Sequence, residues 1–120
     1  MALQAQSKSG GRLLETDEDF SSEVLAVDKP RPVLVFFTAA WCGPCRLSIP
    51  VVKDIIKEFD GQVDFAEVCT DDLPEVSEDA GVVSIPTIQL YAKGKMVETI
   101  VGCVAKGVLA NAVELSLIHI

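Results

Sequence analysis

The sequence predicts an α/β domain with a mixed central sheet, its elements running β-α-β-α-β-α-β-β-α. Three observations carry that expectation. Apolar runs of strand length alternate with segments whose apolar residues recur at helical spacing, which implies parallel pairing through crossover helices. The run Val33 to Thr38 is apolar until its last residue, as in a strand covered on both faces. Near the end, Ile88 to Tyr91 and Met96 to Val101 flank Lys93-Gly94, a hairpin signal that adds an antiparallel edge. Helices are then expected on both faces of the sheet.

Residues 1 to 10 are small and polar and read as a flexible N-terminal tail before one domain over residues 11 to 120. Arg12 to Glu15 is a short strand candidate. Thr16, with Asp19 three residues on, gives a capping-box pattern, and Phe20, Val24 and Val27 share a helical face behind it. Lys29 to Pro32 carries two prolines and ends that helix. After the buried strand, Ile49, Val52, Ile56 and Phe59 recur at helical spacing between Cys45 and Phe59. Pro50 should kink this helix and Gly61 should stop it. Gln62 to Val68 alternates as a strand. Thr70 or Asp71 is placed to cap a short helix over residues 72 to 80, closed by Gly81. Ala105 to Leu117 reads as the final helix.

A chain of 120 residues that is 49% apolar suits one domain with a substantial core. Acidic residues outnumber basic ones 18 to 10, for a net charge of −8 without any Lys/Arg cluster. Such a surface repels nucleic-acid phosphates and anionic lipid. No apolar run approaches the ~20 residues of a membrane helix. Met1 to Gly11 lacks the apolar stretch of a secretory signal. Neither nucleic acid nor membrane is therefore expected as a partner, and the compartment is expected to be intracellular and reducing. Four cysteines are too few for a disulfide scaffold, so their spacing matters more than their number.

Cys42 and Cys45 form a C-x-x-C in Trp41-Cys42-Gly43-Pro44-Cys45, placed where the buried strand runs into a helix. A cysteine at a helix N-terminus meets unpaired amides and the positive end of the dipole, which favour its thiolate. A free thiol with a pKa of about 8.5 is only ~3% ionised at pH 7, so a modest lowering multiplies the reactive species. Cys45 lies one turn on, within reach of Cys42, so a mixed disulfide can be resolved internally. Gly43 allows close backbone approach, and Pro44 stiffens the turn. Zinc is the competing chemistry, but it takes four ligands and no second Cys or His pair is present. No metal is expected. A structural disulfide is the other alternative; it closes a very short loop and stabilises little.

These residues resemble the thioredoxin family, and the resemblance spans about residues 11 to 117. Pro50 matches the proline of the family's kinked helix. Ile85-Pro86 matches its cis-proline loop, Lys93-Gly94 its last hairpin, and Gly102 its groove glycine. The resemblance implies a thioredoxin fold, with Cys42 as attacking nucleophile and Cys45 as resolving thiol. It implies that Pro86 is cis, and that Trp41, Ile85, Pro86 and Gly102 form the surface receiving an extended target segment. It also implies a protein-disulfide reductase, an oxidoreductase in electron transport and cell redox homeostasis. The expected partners are disulfide-containing target proteins and a thioredoxin reductase, with no bound cofactor and a monomeric chain. Pro44, where protein disulfide isomerases carry histidine, resembles the reducing branch. The string Phe37-Thr38-Ala39-Ala40-Trp41 is similar to plant organellar thioredoxins, especially the mitochondrial o type. The resemblance therefore leaves cytoplasm, mitochondrion and chloroplast open.

The chain departs from the family at three positions. Phe36 stands where most members carry a buried aspartate, Thr38 replaces a common aromatic, and Glu67 aligns with the lysine that partners that aspartate. Val63, Phe65 and Glu67 share one strand face by period two, which gives Glu67 apolar company. Glu67 is accordingly a candidate proton acceptor for Cys45, against the alternative of a strand-end glutamate that reaches to water. Cys69 reads as a small buried hydrophobe at a strand end. Cys103, next to Gly102, is a candidate regulatory thiol near the dithiol. The departures keep a rival reading open, a redox-sensitive thioredoxin-like binding module with weak turnover.

Overall fold

A computed structural model describes residues 7 to 119. Its elements are β1 (Arg12–Leu13), α1 (Asp17–Glu23), β2 (Val33–Thr38), α2 (Gly43–Glu58), β3 (Asp64–Cys69), α3 (Pro74–Asp79), β4 (Thr87–Ala92), β5 (Lys95–Val101) and α4 (Lys106–Leu117). The sheet order is β1-β3-β2-β4-β5. β1, β3 and β2 run parallel, and β4 and β5 are antiparallel to their neighbours. This is the expected mixed sheet in the expected order.

Every residue of β2 is buried, and parity divides them between two cores. Leu34 and Phe36 pack with Val52, Ile55, Leu109 and Val113 of α2 and α4. Val33, Val35 and Phe37 pack with Leu14, Phe20, Val24 and Val76 on the other face. Each such side chain contributes roughly 1.5–3 kcal/mol by leaving water, so the strand is fixed from both sides. Phe20 meets Phe37 at 6.4 Å and Tyr91 edge-on at 6.0 Å, which seats α1 on the sheet.

Element ends differ from the sequence expectations for traceable reasons. α1 has the predicted capping box, with the Asp19 amide donating to Thr16 Oγ1 at 3.0 Å. The Glu15 amide hydrogen bond holds the Asp19 carboxyl below its ordinary value. The helix nonetheless stops at Glu23, and Val27 is 75% exposed rather than on the buried face. There the chain crosses the β4–β5 turn so closely that a Cβ on Gly94 would strike the Leu25 carbonyl. Lys93 and Gly94 both take positive φ, 51° and 82°, as a two-residue hairpin turn requires. β3 starts at Asp64 instead of Gln62, because the Gln62 and Val63 amides donate to the Phe59 carbonyl and close α2. α3 starts at Pro74 with no side-chain cap among the described residues. Neither Thr70 nor Asp71 caps it; the Asp72 and Leu73 amides turn back onto the Cys69 carbonyl, and Asp71 is engaged by Trp41.

The expected N-terminal tail divides. Residues 1 to 6 lie outside the described residues, whereas Ser9 is 1% exposed and held on β3. The anchor is Glu67, whose Oε1 accepts from the Lys8 amide, the Ser9 amide and Ser9 Oγ at 3.0, 3.0 and 2.7 Å. A carboxyl buried beside apolar side chains needs such donors, and the segment before β1 supplies them.

Tyr91 is the chain's single tyrosine, and burial pushes its phenol from 10.0 up to about 12. Its folded value is raised, so the associated stability is complete below pH ~10 and is lost as pH rises towards 12. Phenolate absorbance should therefore appear with a midpoint near 12 in the folded protein. A midpoint at the free value would show that the α1–sheet contact is open.

Candidate active site

β2 delivers the chain into α2 through Ala39 to Trp41, and Cys42 takes the N-cap position with extended backbone, φ −80° and ψ 107°. The Cys42 amide donates to the Ala39 carbonyl at 3.1 Å, which closes the turn. Pro44 occupies the first turn of the helix, where a missing N–H costs nothing and its fixed φ is already helical. Cys42 and Cys45 form a disulfide with their Cα atoms 5.4 Å apart. Cys42 Sγ also accepts from the Cys45 amide at 3.1 Å, as a capping oxygen would. α2 continues through Pro50 to Glu58. Sixteen aligned peptide units thus end at one sulfur, with partial positive charge equivalent to about half an elementary charge. Such an end stabilises a thiolate at Cys42 when the pair is reduced.

Of the expected groove residues, Trp41 immediately precedes this turn, and Gly102 adjoins Cys103, which contacts it at Pro44. Trp41 is 70% exposed, and its indole Nε1 donates to Asp71 Oδ2 at 2.7 Å. The Ile85–Pro86 peptide is cis, as expected. Gly102 has φ +88° and donates its amide to the Pro86 carbonyl at 2.8 Å, which ties β5 to the cis-proline loop. Trp41 and Ile85 line one cavity of about 410 Å³ with Thr70, Ser77 and Val82 to Ser84. Pro86 and Gly102 are not in its wall, and Pro86 is buried. Val83, 93% exposed, has no place among the sequence expectations, and Asp71 stands there only as a candidate helix cap. The apolar pair Val82-Val83 just after Gly81 was the available signal for the first, while nothing local marks Asp71 as the indole's partner.

Behind the turn, Phe36 is fully buried in the core that also holds Cys42 and Cys45. Glu67 pairs in register with Phe36 and is 3% exposed, so it does not reach to water. Thr38 is buried, and its hydroxyl has no hydrogen-bond partner among the described residues. Cys103 is exposed, with Sγ donating to the Pro44 carbonyl at 3.4 Å. Cys69 is a free thiol and only half-buried, contrary to the reading of a buried hydrophobe. Its side chain lines a cavity instead of packing into either core.

A disulfide-forming pair at a helix start, on this sheet order, defines a thiol–disulfide oxidoreductase. The family model for thioredoxin matches residues 12–115. Thioredoxin 1 of Synechococcus elongatus is 44% identical over 99 residues, covering 82% of this chain and 91% of that protein. The chloroplastic M-type thioredoxin of Brassica napus is 38% identical over 111 residues, covering 92% of this chain and 62% of that longer protein. A solved chain from work on the thiol-resolving mechanism in yeast mitochondrial 1-Cys peroxiredoxin superposes with a TM-score of 0.78 at 21% identity. That superposition covers 91% of this chain and 98% of the other. The chain belongs to the thioredoxin family.

The two sulfurs should be separable by mutation. Cys45→Ser leaves the capping sulfur in place but removes the resolving thiol, so a mixed disulfide with a reducible target should accumulate and persist. Cys42→Ser should trap none. Equal trapping by the two variants, read by non-reducing electrophoresis, would contradict the assignment of roles.

Proposed function

We infer that this chain is a protein-disulfide reductase that passes electrons from the Cys42/Cys45 dithiol to disulfide-containing proteins. The carrying observation is the cysteine pair at the start of α2, with Cys42 as the cap. The Cys42 thiolate attacks one sulfur of a target disulfide. A Cys42–target S–S bond forms as the target's own bond breaks, and the leaving sulfur takes up a proton. Cys45, deprotonated, then attacks Cys42 Sγ, forming the Cys42–Cys45 disulfide and releasing the second target thiol. The target gains two electrons and two protons. A separate thioredoxin reductase returns two electrons to the pair.

Trp41, Ile85, Pro86 and Gly102 are proposed to receive the target segment. The exposed indole and the apolar cavity between Trp41 and Ile85 support this, because a desolvated aromatic anchor gives more binding energy than a flat surface. Glu67 is proposed to accept the Cys45 proton. Its burial on the Phe36 side of the sheet supports that role, as does Oε2, whose one hydrogen bond among the described residues is 3.2 Å long. Cys103 is proposed as a regulatory thiol, supported by its exposure and its contact with the active-site turn. The cyanobacterial and chloroplastic relatives support a reducing cytoplasm or organelle as its location.

Insulin-disulfide reduction is the direct test, first with dithiothreitol and then with NADPH and a thioredoxin reductase. Turnover in both is expected; inactivity in both would overturn the reading in favour of a binding module. Glu67→Gln should displace the pH profile of the resolving step between about pH 6 and 8, and superimposable profiles would remove Glu67 from the mechanism. Glutathionylated protein should reduce insulin more slowly than untreated protein, with Cys103→Ser indifferent to the treatment. A Cys103→Ser variant that slows equally would end the regulatory assignment.

A further inference from the structure

The stem of the active-site turn also borders a second cavity, whose wall does not include Trp41. It holds about 230 Å³, and its wall includes Thr38, Ala39, Ala40, Glu67, Cys69 and Asp72. By volume it takes roughly seven waters, or a chain of a few heavy atoms. Three features of this wall point to a ligand. Cys69 is a free thiol that packs into neither core. Thr38 Oγ1 is buried without a partner among the described residues, in a residue 3% exposed. Glu67 and Asp72 place two carboxyl side chains on the wall against one exposed lysine, Lys8, on a chain of net charge −8.

An unpartnered buried hydroxyl costs about 1–3 kcal/mol, so a ligand that brings a hydrogen-bond donor to it recovers that loss. The carboxyl groups favour a cation and oppose an anion. The thiol offers a covalent attachment point. We propose that this cavity is a charge-selective thiolation site, in which Cys69 forms mixed disulfides with small cationic aminothiol disulfides and discriminates against anionic ones. The Cys69 thiolate attacks one sulfur of the ligand; the new S–S bond forms as the ligand's own bond breaks. The released aminothiol takes up the proton that Cys69 gave up, so no other oxidant enters. The ligand's ammonium supplies the donor that Thr38 Oγ1 lacks and the positive charge that Asp72 and Glu67 favour. An adduct here stands against Ala39 and Ala40, the stem that carries Cys42, yet leaves the Cys42–Cys45 disulfide intact.

The protein with its Cys42–Cys45 disulfide formed is incubated in parallel with cystamine and with oxidised glutathione, and adducts are assigned by peptide mass spectrometry. Exposed Cys103 is the reference within the same molecule. The cystamine-to-glutathione ratio at Cys69 should exceed that at Cys103 by about fivefold or more, the effect of one close unit-charge pair in water. Asp72→Asn, at an exposed position, should bring the Cys69 ratio down towards that of Cys103. Thr38→Phe should fill the cavity and abolish both adducts at Cys69 while sparing Cys103; should that variant not fold, the Asp72→Asn comparison decides alone. Equal ratios at the two cysteines, or a Cys69 that stays unmodified until denaturation, would overturn the proposal. Neither outcome bears on insulin reduction, which uses the other pair.

Discussion

The Cys45 amide at the start of α2, turned onto Cys42 Sγ, is the interaction on which the chemistry depends. A helix leaves its first four N–H groups without carbonyl partners, and proteins usually satisfy one of them with the oxygen of serine, threonine or aspartate. Here a sulfur has that position and accepts the Cys45 amide at 3.1 Å. The same stabilisation that an oxygen cap gives to a fold falls here on one sulfur of the redox pair. The position cannot drift. β2 is buried along all six residues, is paired on both sides by β3 and β4, and is locked to the turn by the Cys42–Ala39 bond. A slip of one residue would exchange the two cores and carry Cys42 off the cap.

The surroundings of the turn are built from contacts far apart in sequence. Asp71, from the β3–α3 connection, fixes the indole of Trp41, while the Gly102 amide reaches the Pro86 carbonyl. Cys103 then lies over Pro44 from the β5–α4 connection. Four connections thus converge on the carboxyl ends of the parallel strands, the place where open α/β sheets present their sites. Beneath them, Glu67 and the Lys8–Ser9 segment form a polar patch in an otherwise apolar layer. The carboxyl group and the N-terminal segment hold each other in place.

Much of this was legible in the chain itself. The unbroken apolar run Val33 to Phe37 announced a doubly covered strand, and the C-x-x-C after it placed the chemistry. Thr16 and Asp19 announced α1, and Lys93-Gly94 announced the hairpin. The missed features share one physical cause: they depend on partners that sequence spacing does not reveal. Val27 is spaced for a helical face, but the chain there must pass the Gly94 turn. Thr70 and Asp71 looked like caps because their side chains suit the role, yet Asp71 is committed to an indole thirty residues earlier. Gln62 alternates like a strand residue, but its amide closes α2. The polar segment at Lys8 and Ser9 read as a tail because its anchor, a buried glutamate, lies nearly sixty residues away.

The most direct test is the rate of alkylation of Cys42 in the fully reduced protein by iodoacetamide as a function of pH, followed by peptide mass spectrometry. The cap arrangement predicts that the rate reaches its midpoint well below the ~8.5 of a free cysteine, with Cys45 unreactive over the same range. A Cys42 midpoint at the free-thiol value would contradict the claim that the start of α2 holds this sulfur ionised.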